Sequence, residues 1–296
     1  METGEENKPV HKGLKKGLYL IPSAFTAANI GMGFLAVLSS LRGFQLVAQS
    51  PEQAAVYFDY AARAIGFAIL FDTLDGRVAR MTKTTTEIGV QLDSLADVLT
   101  FGIAPIVLAY GWAIGATFHE ESGVHGLGMF VLFMYLMCGT FRLARFNLQA
   151  TRPRVLIEGS TKIDKKHFVG LPIPPAAGLL AALVHFAPLP LNAYGANLSE
   201  LYGALIMILI ACLGLLMVST IRYSSFKSAG TGRRSLYLIL LIAATGMLVW
   251  LYSRYVLLAL ALAYVSHGII WYVLNIFRRP KHVEEMQPEI EAETRQ

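Results

Sequence analysis

Four aspartates stand where an apolar chain should carry none. One stretch reads Asp72-Thr73-Leu74-Asp75-Gly76-Arg77-Val78-Ala79-Arg80; eight residues further on, a second reads Gly89-Val90-Gln91-Leu92-Asp93-Ser94-Leu95-Ala96-Asp97. On a helix, Asp72 and Asp75 are three apart and share a face, and Asp93 and Asp97 are four apart and share a face of the next helix. The short basic connection from Met81 to Glu87 makes these helices antiparallel neighbours, so the two acidic faces meet at one membrane surface. Carboxylates crowded into a partly apolar place repel one another, and divalent cations relieve that repulsion. Hard oxygen ligands with no Cys or His beside them point to Mg2+ or Mn2+ rather than Zn2+. Mg2+ is commonly held by a few carboxylates together with substrate phosphates, so a phosphate-bearing substrate is expected, and Arg80 suits a phosphate oxygen. Gly76, Ala79, Gly89 and Ala96 are small and leave room for close backbones or a ligand. Helix capping, or pairing with Arg77, Arg80 or Arg145, would explain any one of these acids. It does not explain four at helix-matched spacing inside a membrane, where ionisable groups are costly.

The elements that must hold these residues follow from composition. The 296 residues are 55% hydrophobic and 15% charged, with a mean hydropathy of +0.52. A soluble domain carries about 25% charged residues. Disorder, collagen-like structure and an ordinary water-soluble enzyme are excluded, and an all-α polytopic membrane protein is expected. Eight apolar spans can be marked at 20–41, 54–81, 88–115, 126–149, 172–188, 200–220, 234–252 and 255–277. Cys138 and Cys212 lie inside apolar stretches and read as small hydrophobes, with no disulfide framework or metal-ligand spacing.

The net charge of +5 sits on the flanks of the spans, without the aromatic interleaving of an RNA-binding surface, so no nucleic-acid partner is expected. With both termini cytoplasmic, only Arg42, Arg63 and Arg254 of the 25 Lys and Arg are left for the opposite side. That bias orients membrane proteins and supports an even number of spans. The chain then divides into four parts. Residues 1–19 form a cytoplasmic N-terminal segment, with Lys12, Lys15 and Lys16 suiting a short amphipathic surface helix. Residues 20–225 form a transmembrane core of spans 1 to 6, residues 226–280 add two helices, and residues 281–296 are an acidic cytoplasmic tail.

The pattern D-x-x-D-G-x-x-A-R-x(8)-G-x-x-x-D-x-x-x-D from Asp72 to Asp97 resembles, residue for residue, the signature of the CDP-alcohol phosphatidyltransferase family. The resemblance implies a six-helix core in spans 1 to 6, followed here by two C-terminal helices. It implies a homodimer in the cell membrane, with the active site facing the cytoplasm and two divalent cations per site. Carried over by position, Asp72, Asp75, Asp93 and Asp97 are metal ligands, and Asp97 is also the catalytic base. Gly76, Arg80, Thr86 and Asn29 of the first span contact the CDP-linked lipid. An interhelical hydrogen bond is an equally ordinary use for Asn29.

Two further segments resemble the phosphatidylserine synthase branch of that family: Phe141-Arg142-Leu143-Ala144-Arg145-Phe146-Asn147, and Phe168 to Gly178 with its Gly170-Leu171-Pro172-Ile173-Pro174-Pro175 run. The implied reaction joins CDP-diacylglycerol and L-serine to give phosphatidylserine and CMP. Free serine offers a carboxylate, an ammonium and the attacking hydroxyl. Arg142 and Arg145, three apart, are expected to face one pocket and bind the carboxylate, with Asn147 adding a polar contact. The positive-inside rule or lipid headgroups would account for the same arginines. Two alternatives stay open: the same chemistry on glycerol 3-phosphate or inositol phosphate, and a cation transporter or channel lined by the aspartates.

Overall fold

The computed structural model describes residues 12–82, 87–151, 167–224 and 233–277. Helix α1 (Lys12–Leu46) begins in the basic segment and runs unbroken into the first span. Helix α2 (Pro51–Thr82) starts on a proline, whose missing N–H and fixed φ suit the first turn of a helix. The next helical rod, α3 (87–117), is α-helical over Glu87–Asp97, Ala104–Ala109 and Gly115–Thr117, with π-helical stretches at Val98–Ile103 and Tyr110–Ile114. It is followed by α4 (Gly123–Thr151), α5 (Ile173–Phe186), α6 (Ala196–Val218) and α7 (Arg233–Phe277). Strands β1 (His167–Val169) and β2 (Arg222–Ser224) form an antiparallel ribbon that ties the segment before α5 to the segment after α6.

Small side chains let the helices approach closely. Ala54, Ala61, Ala62, Ala64 and Ala68 of α2 are buried with Ala176, Ala177 and Ala181 of α5 in one core. Gly33 of α1 sits against Thr100, where an added Cβ would come 2.5 Å from the threonine Oγ1. Large apolar side chains face outward instead: Phe34, Leu38, Phe67, Phe133, Ile208 and Trp250 are all exposed. In a water-soluble protein that surface would aggregate; in a bilayer it is the lipid-facing side.

Among the described residues, six helical stretches are long and apolar enough to cross a membrane: Ala24–Leu46, Pro51–Val78, Ile88–Thr117, Gly123–Leu148, Ala196–Val218 and Thr245–Leu274. The eight expected spans meet this count at two places. The expected fifth is α5, with 14 residues. At 1.5 Å per residue it is about 21 Å long, shorter than a hydrocarbon core of about 30 Å. Prolines bracket it: Pro172, Pro174 and Pro175 open it, and Pro188 and Pro190 follow it. The indole of Trp112 donates to the carbonyls of Ala187 and Leu189 at 3.0 and 2.9 Å and fixes that end. The expected seventh and eighth spans run together as α7, with Tyr252 non-helical (φ −134°, ψ 44°) where the break between them was expected.

The π-helical stretch after Asp97 has a local cause. The amide of Ala104 bonds the carbonyl of Leu99, five residues back. Pro105 has no N–H to give the carbonyl of Phe101, four residues back. The buried Tyr135 hydroxyl of α4 donates to that carbonyl instead, at 3.3 Å. Such widened turns recur near functional sites because they re-aim the side chains beside them.

Candidate functional site

The carboxylates converge where the C-terminal part of α2 meets the first turns of α3. Asp72, Asp93 and Asp97 each present an oxygen within 4.8 Å of the others, and all three are partly buried. Asp75, one turn beyond Asp72, is buried at 6% exposure and lies within electrostatic reach of both Asp72 and Asp93. Helix α1 closes the third side. The Thr26 hydroxyl donates to Asp75 Oδ2, and Asn29, one turn further along, is 1% exposed with neither its amide nitrogen nor its oxygen partnered. The Thr100 hydroxyl donates to the backbone carbonyl of Asn29 at 3.3 Å, joining α1 to the π-helical stretch.

Helix α4 closes the fourth side. Arg142 is half-buried and near enough to Asp97 for their charges to attract. No direct ion pair joins them: among the described residues every ion pair centres on Asp59. Asp97 Oδ1 and Arg142 Nε are both buried without a hydrogen-bond partner. Asn147 donates from Nδ2 to the Ser94 hydroxyl at 2.8 Å, pinning α4 to α3 one residue past Asp93. Arg145, which the spacing placed on the same face, is exposed, whereas Arg142 is half-buried. Gly76 follows the buried Asp75 and is half-buried. Arg80 lies in the last turns of α2, with its side chain outside the described residues, as Thr86 is altogether.

Buried polar groups almost always find partners, so several orphans in one place call for an absent ligand. Asn29, Asp97 and Arg142 supply them from three different helices. The donor set fits a hard divalent cation: three carboxylate oxygens already gathered, a fourth carboxylate adjacent, and no sulfur or imidazole among them. An acidic pocket flanked by an orphaned amide and an orphaned guanidinium also fits an anionic, phosphate-bearing molecule carried with the cation.

Residue spacing did not single out Thr26, Ser94 or Tyr264. Thr26 precedes Asn29 by three residues and so shares its helix face, a usable signal. Ser94 has no meaning until Asn147 is seen against it. Tyr264, on α7, lies within electrostatic reach of Arg142 and has no local signal at all.

Fold and site define a polytopic helical membrane protein with an acidic group suited to a divalent cation. The chain belongs to the CDP-alcohol phosphatidyltransferase family, whose sequence model matches residues 19–218. A CDP-diacylglycerol–serine O-phosphatidyltransferase of Helicobacter pylori (strain ATCC 700392 / 26695) is 32% identical over 266 residues, covering 88% of this chain and 94% of its own. The protein of that name in Methanocaldococcus jannaschii is 33% identical over 248 residues, covering 84% and 92%. An archaetidylserine synthase of Methanothermobacter thermautotrophicus is 32% identical over 212 residues, covering 71% and 72%.

Proposed function

We propose that this protein transfers the phosphatidyl group of CDP-diacylglycerol to the hydroxyl of L-serine, releasing CMP. The observation that carries the reading is the convergence of Asp72, Asp93 and Asp97 beside an orphaned Asn29 and Arg142, in a chain whose relatives are named for this reaction. Asp72, Asp75, Asp93 and Asp97 would hold the divalent cations, which when bound offer positive charge to the diphosphate oxygens.

The chain's own residues do the rest. Asn29 and Gly76, with Arg80 and Thr86 by family position, receive the cytidine diphosphate end of the lipid. Arg142 draws the serine carboxylate to the α4 side of the cluster, which leaves the serine hydroxyl toward Asp97. Asp97 takes the hydroxyl proton as the serine oxygen forms its bond to the lipid-side phosphorus. The bond from that phosphorus to the bridging oxygen breaks, and its electron pair leaves with CMP. Direct attack needs no covalent enzyme intermediate. Asn147 acts at one remove, by fixing α4 against Ser94. Eight membrane passes with both termini and the site on the cytoplasmic face agree with the distribution of Lys and Arg.

The test is CMP release by purified protein with CDP-diacylglycerol, Mg2+ or Mn2+, and each candidate alcohol in turn. Turnover with serine and not with glycerol 3-phosphate or inositol phosphate is expected. Turnover with another alcohol alone would replace the acceptor, and no turnover with any would remove the enzyme reading.

A further inference from the structure

A second charged group lies on the side of the molecule away from the aspartate cluster. It centres on Asp59, thirteen residues before Asp72 on α2. The Asp59 oxygens take Arg63 Nη2 and His185 Nδ1, each at 2.5 Å, and the Ser253 hydroxyl of α7 lies 2.9 Å from His185 Nε2. Arg254 is the next residue of the chain, is exposed, and lies within electrostatic reach of Asp59. One carboxylate thus stands against two guanidiniums, and positive charge is left over. Asp59 and His185 are buried, whereas the Arg63 side chain is 51% exposed. Arg63 shares an outward face of α2 with Tyr60 and Phe67, three residues before it and four after, both exposed on the lipid-facing surface. Lipid tails accept no hydrogen bond, so a half-exposed guanidinium on that surface calls for an acceptor from another part of the lipid. The level of the group says which part. Tyr255 meets Phe186, the residue after His185, edge-on with ring centroids 5.6 Å apart, and Trp250, Tyr252 and Tyr255 are all exposed on either side of Ser253. Exposed Trp and Tyr mark headgroup depth. Arg63, one turn deeper, reaches toward that level along Asp59. Of the 25 Lys and Arg, only Arg42, Arg63 and Arg254 are expected at this face, and two of the three come together here.

We propose that Arg63 and Arg254 form a binding site for the phosphate of an anionic phospholipid in the leaflet opposite the aspartate cluster. A guanidinium fork matches phosphate oxygens two at a time. Two forks in one place favour a lipid of net negative charge over a zwitterion, whose own ammonium opposes them. Asp59 holds Arg63 in the lipid-facing position and is not itself a ligand. Ser253 and Arg254 lie beyond residue 218, where the family match ends, so half of this site belongs to what the chain adds to the family core. Nothing in the proposal depends on the transfer reaction or its acceptor.

The experiment uses the full chain in neutral detergent and titrates it with phosphatidylglycerol, counting bound lipid by native mass spectrometry. Phosphatidylcholine and inorganic phosphate are the comparison probes. Wild type is set beside Arg63→Gln, Arg63→Lys, Arg254→Gln and Arg42→Gln, and the melting temperature of each without lipid reports whether it is folded. Arg63→Gln and Arg254→Gln should each weaken one phosphatidylglycerol site by on the order of tenfold, the worth of a lost hydrogen bond to a charged group. Arg42→Gln should leave that site unchanged. Arg63→Lys keeps a positive charge beside Asp59 and loses the fork, so it should weaken the site in a folded protein even where Arg63→Gln lowers the melting temperature. No loss in Arg63→Gln and Arg254→Gln, loss in only one of them, or an equal loss in Arg42→Gln would overturn the proposal. Phosphatidylcholine bound as tightly as phosphatidylglycerol would overturn it by leaving only apolar adhesion. Displacement of the lipid by inorganic phosphate would overturn it by showing a site for free anions.

Discussion

Helix α2 carries two buried acidic regions, separated by thirteen residues or about 20 Å of helix axis. In the first, Asp59 receives Arg63 at 2.5 Å on one oxygen and His185 Nδ1 at 2.5 Å on the other, and His185 Nε2 meets the Ser253 hydroxyl at 2.9 Å. Both Asp59 oxygens and both His185 ring nitrogens there have a partner from the chain itself. In the second, Asp72, Asp93 and Asp97 crowd together with no ion pair among the described residues, and unpartnered atoms of Asn29, Asp97 and Arg142 surround them. Ser253, His185 and Asp59 are spaced like a hydrolytic relay, yet Arg63 also takes up Asp59, and the group lies where α2, α5 and α7 are held together. A satisfied buried network fixes structure; a cluster left unsatisfied is held ready for something that arrives.

The largest effect that would break this contrast is at Asp97. Asp97→Asn keeps the size of the side chain and removes the proton acceptor. CMP release in nanodiscs should fall by about 10²- to 10⁴-fold, the usual worth of a general base, while the melting temperature without added metal does not drop. Near-normal turnover would show that the proton goes elsewhere and that Asp97 is one more ligand.

The next effect is one of opposite signs. Asp59→Ala leaves Arg63 and His185 without their shared acceptor and should destabilise the protein by about 3 kcal/mol, as breaking one side of a buried pair does. Asp93→Ala removes one of several like charges and should leave the metal-free protein as stable as wild type or more so. Added Mg2+ should raise the wild-type melting temperature by mass action, with that gain lost in Asp93→Ala and kept, from a lower start, in Asp59→Ala. Thermal unfolding with and without chelator reads all three. Two losses of equal size would mean that both regions are structural.

These two regions were not equally legible in the sequence. Asp72, Asp75, Asp93 and Asp97 declare themselves because helical period alone sets which of them share a face, and a short connection sets that the faces meet. Asp59, His185 and Ser253 do not, because their hydrogen bonds join residues 126 and 68 positions apart. Each, taken singly, is an ordinary polar residue in an apolar helix. The pairing of Arg142 with Arg145 was read from their spacing, which does put them on neighbouring parts of one face, but spacing does not say how far packing covers each, and only Arg142 is half-buried while Arg145 is exposed. The short α5 was hidden for a related reason: apolarity marks a span, whereas prolines and the Trp112 indole decide where its helix begins and ends.

A smaller effect sharpens the contrast at its border, where Thr26 partners Asp75. Thr26→Val keeps the shape and removes the donor. Stability should change by less than about 1 kcal/mol, as interhelical hydrogen bonds in membranes generally do. CMP release should fall more visibly, because Asp75 is then free to turn from the position that the other three carboxylates require. The measurement is KM for CDP-diacylglycerol as a function of Mg2+ concentration, with a shift toward higher Mg2+ expected in the variant.

The smallest effect lies at Tyr135, whose hydroxyl satisfies the Phe101 carbonyl that Pro105 cannot reach. This bond belongs with the Asp59 network: a buried polar atom answered from within, although it sits a turn past Asp97. Tyr135→Phe leaves the ring in place and orphans one carbonyl, which should cost about 0.6 to 1 kcal/mol. Catalysis should hold, because the π-helical stretch is also anchored by Thr100 on the Asn29 carbonyl and by Gly33 packed against Thr100. A large loss of CMP release with little change in melting temperature would reverse that assignment. The Tyr135 bond would then be what aims Asp97, and the satisfied and unsatisfied regions would be mechanically one.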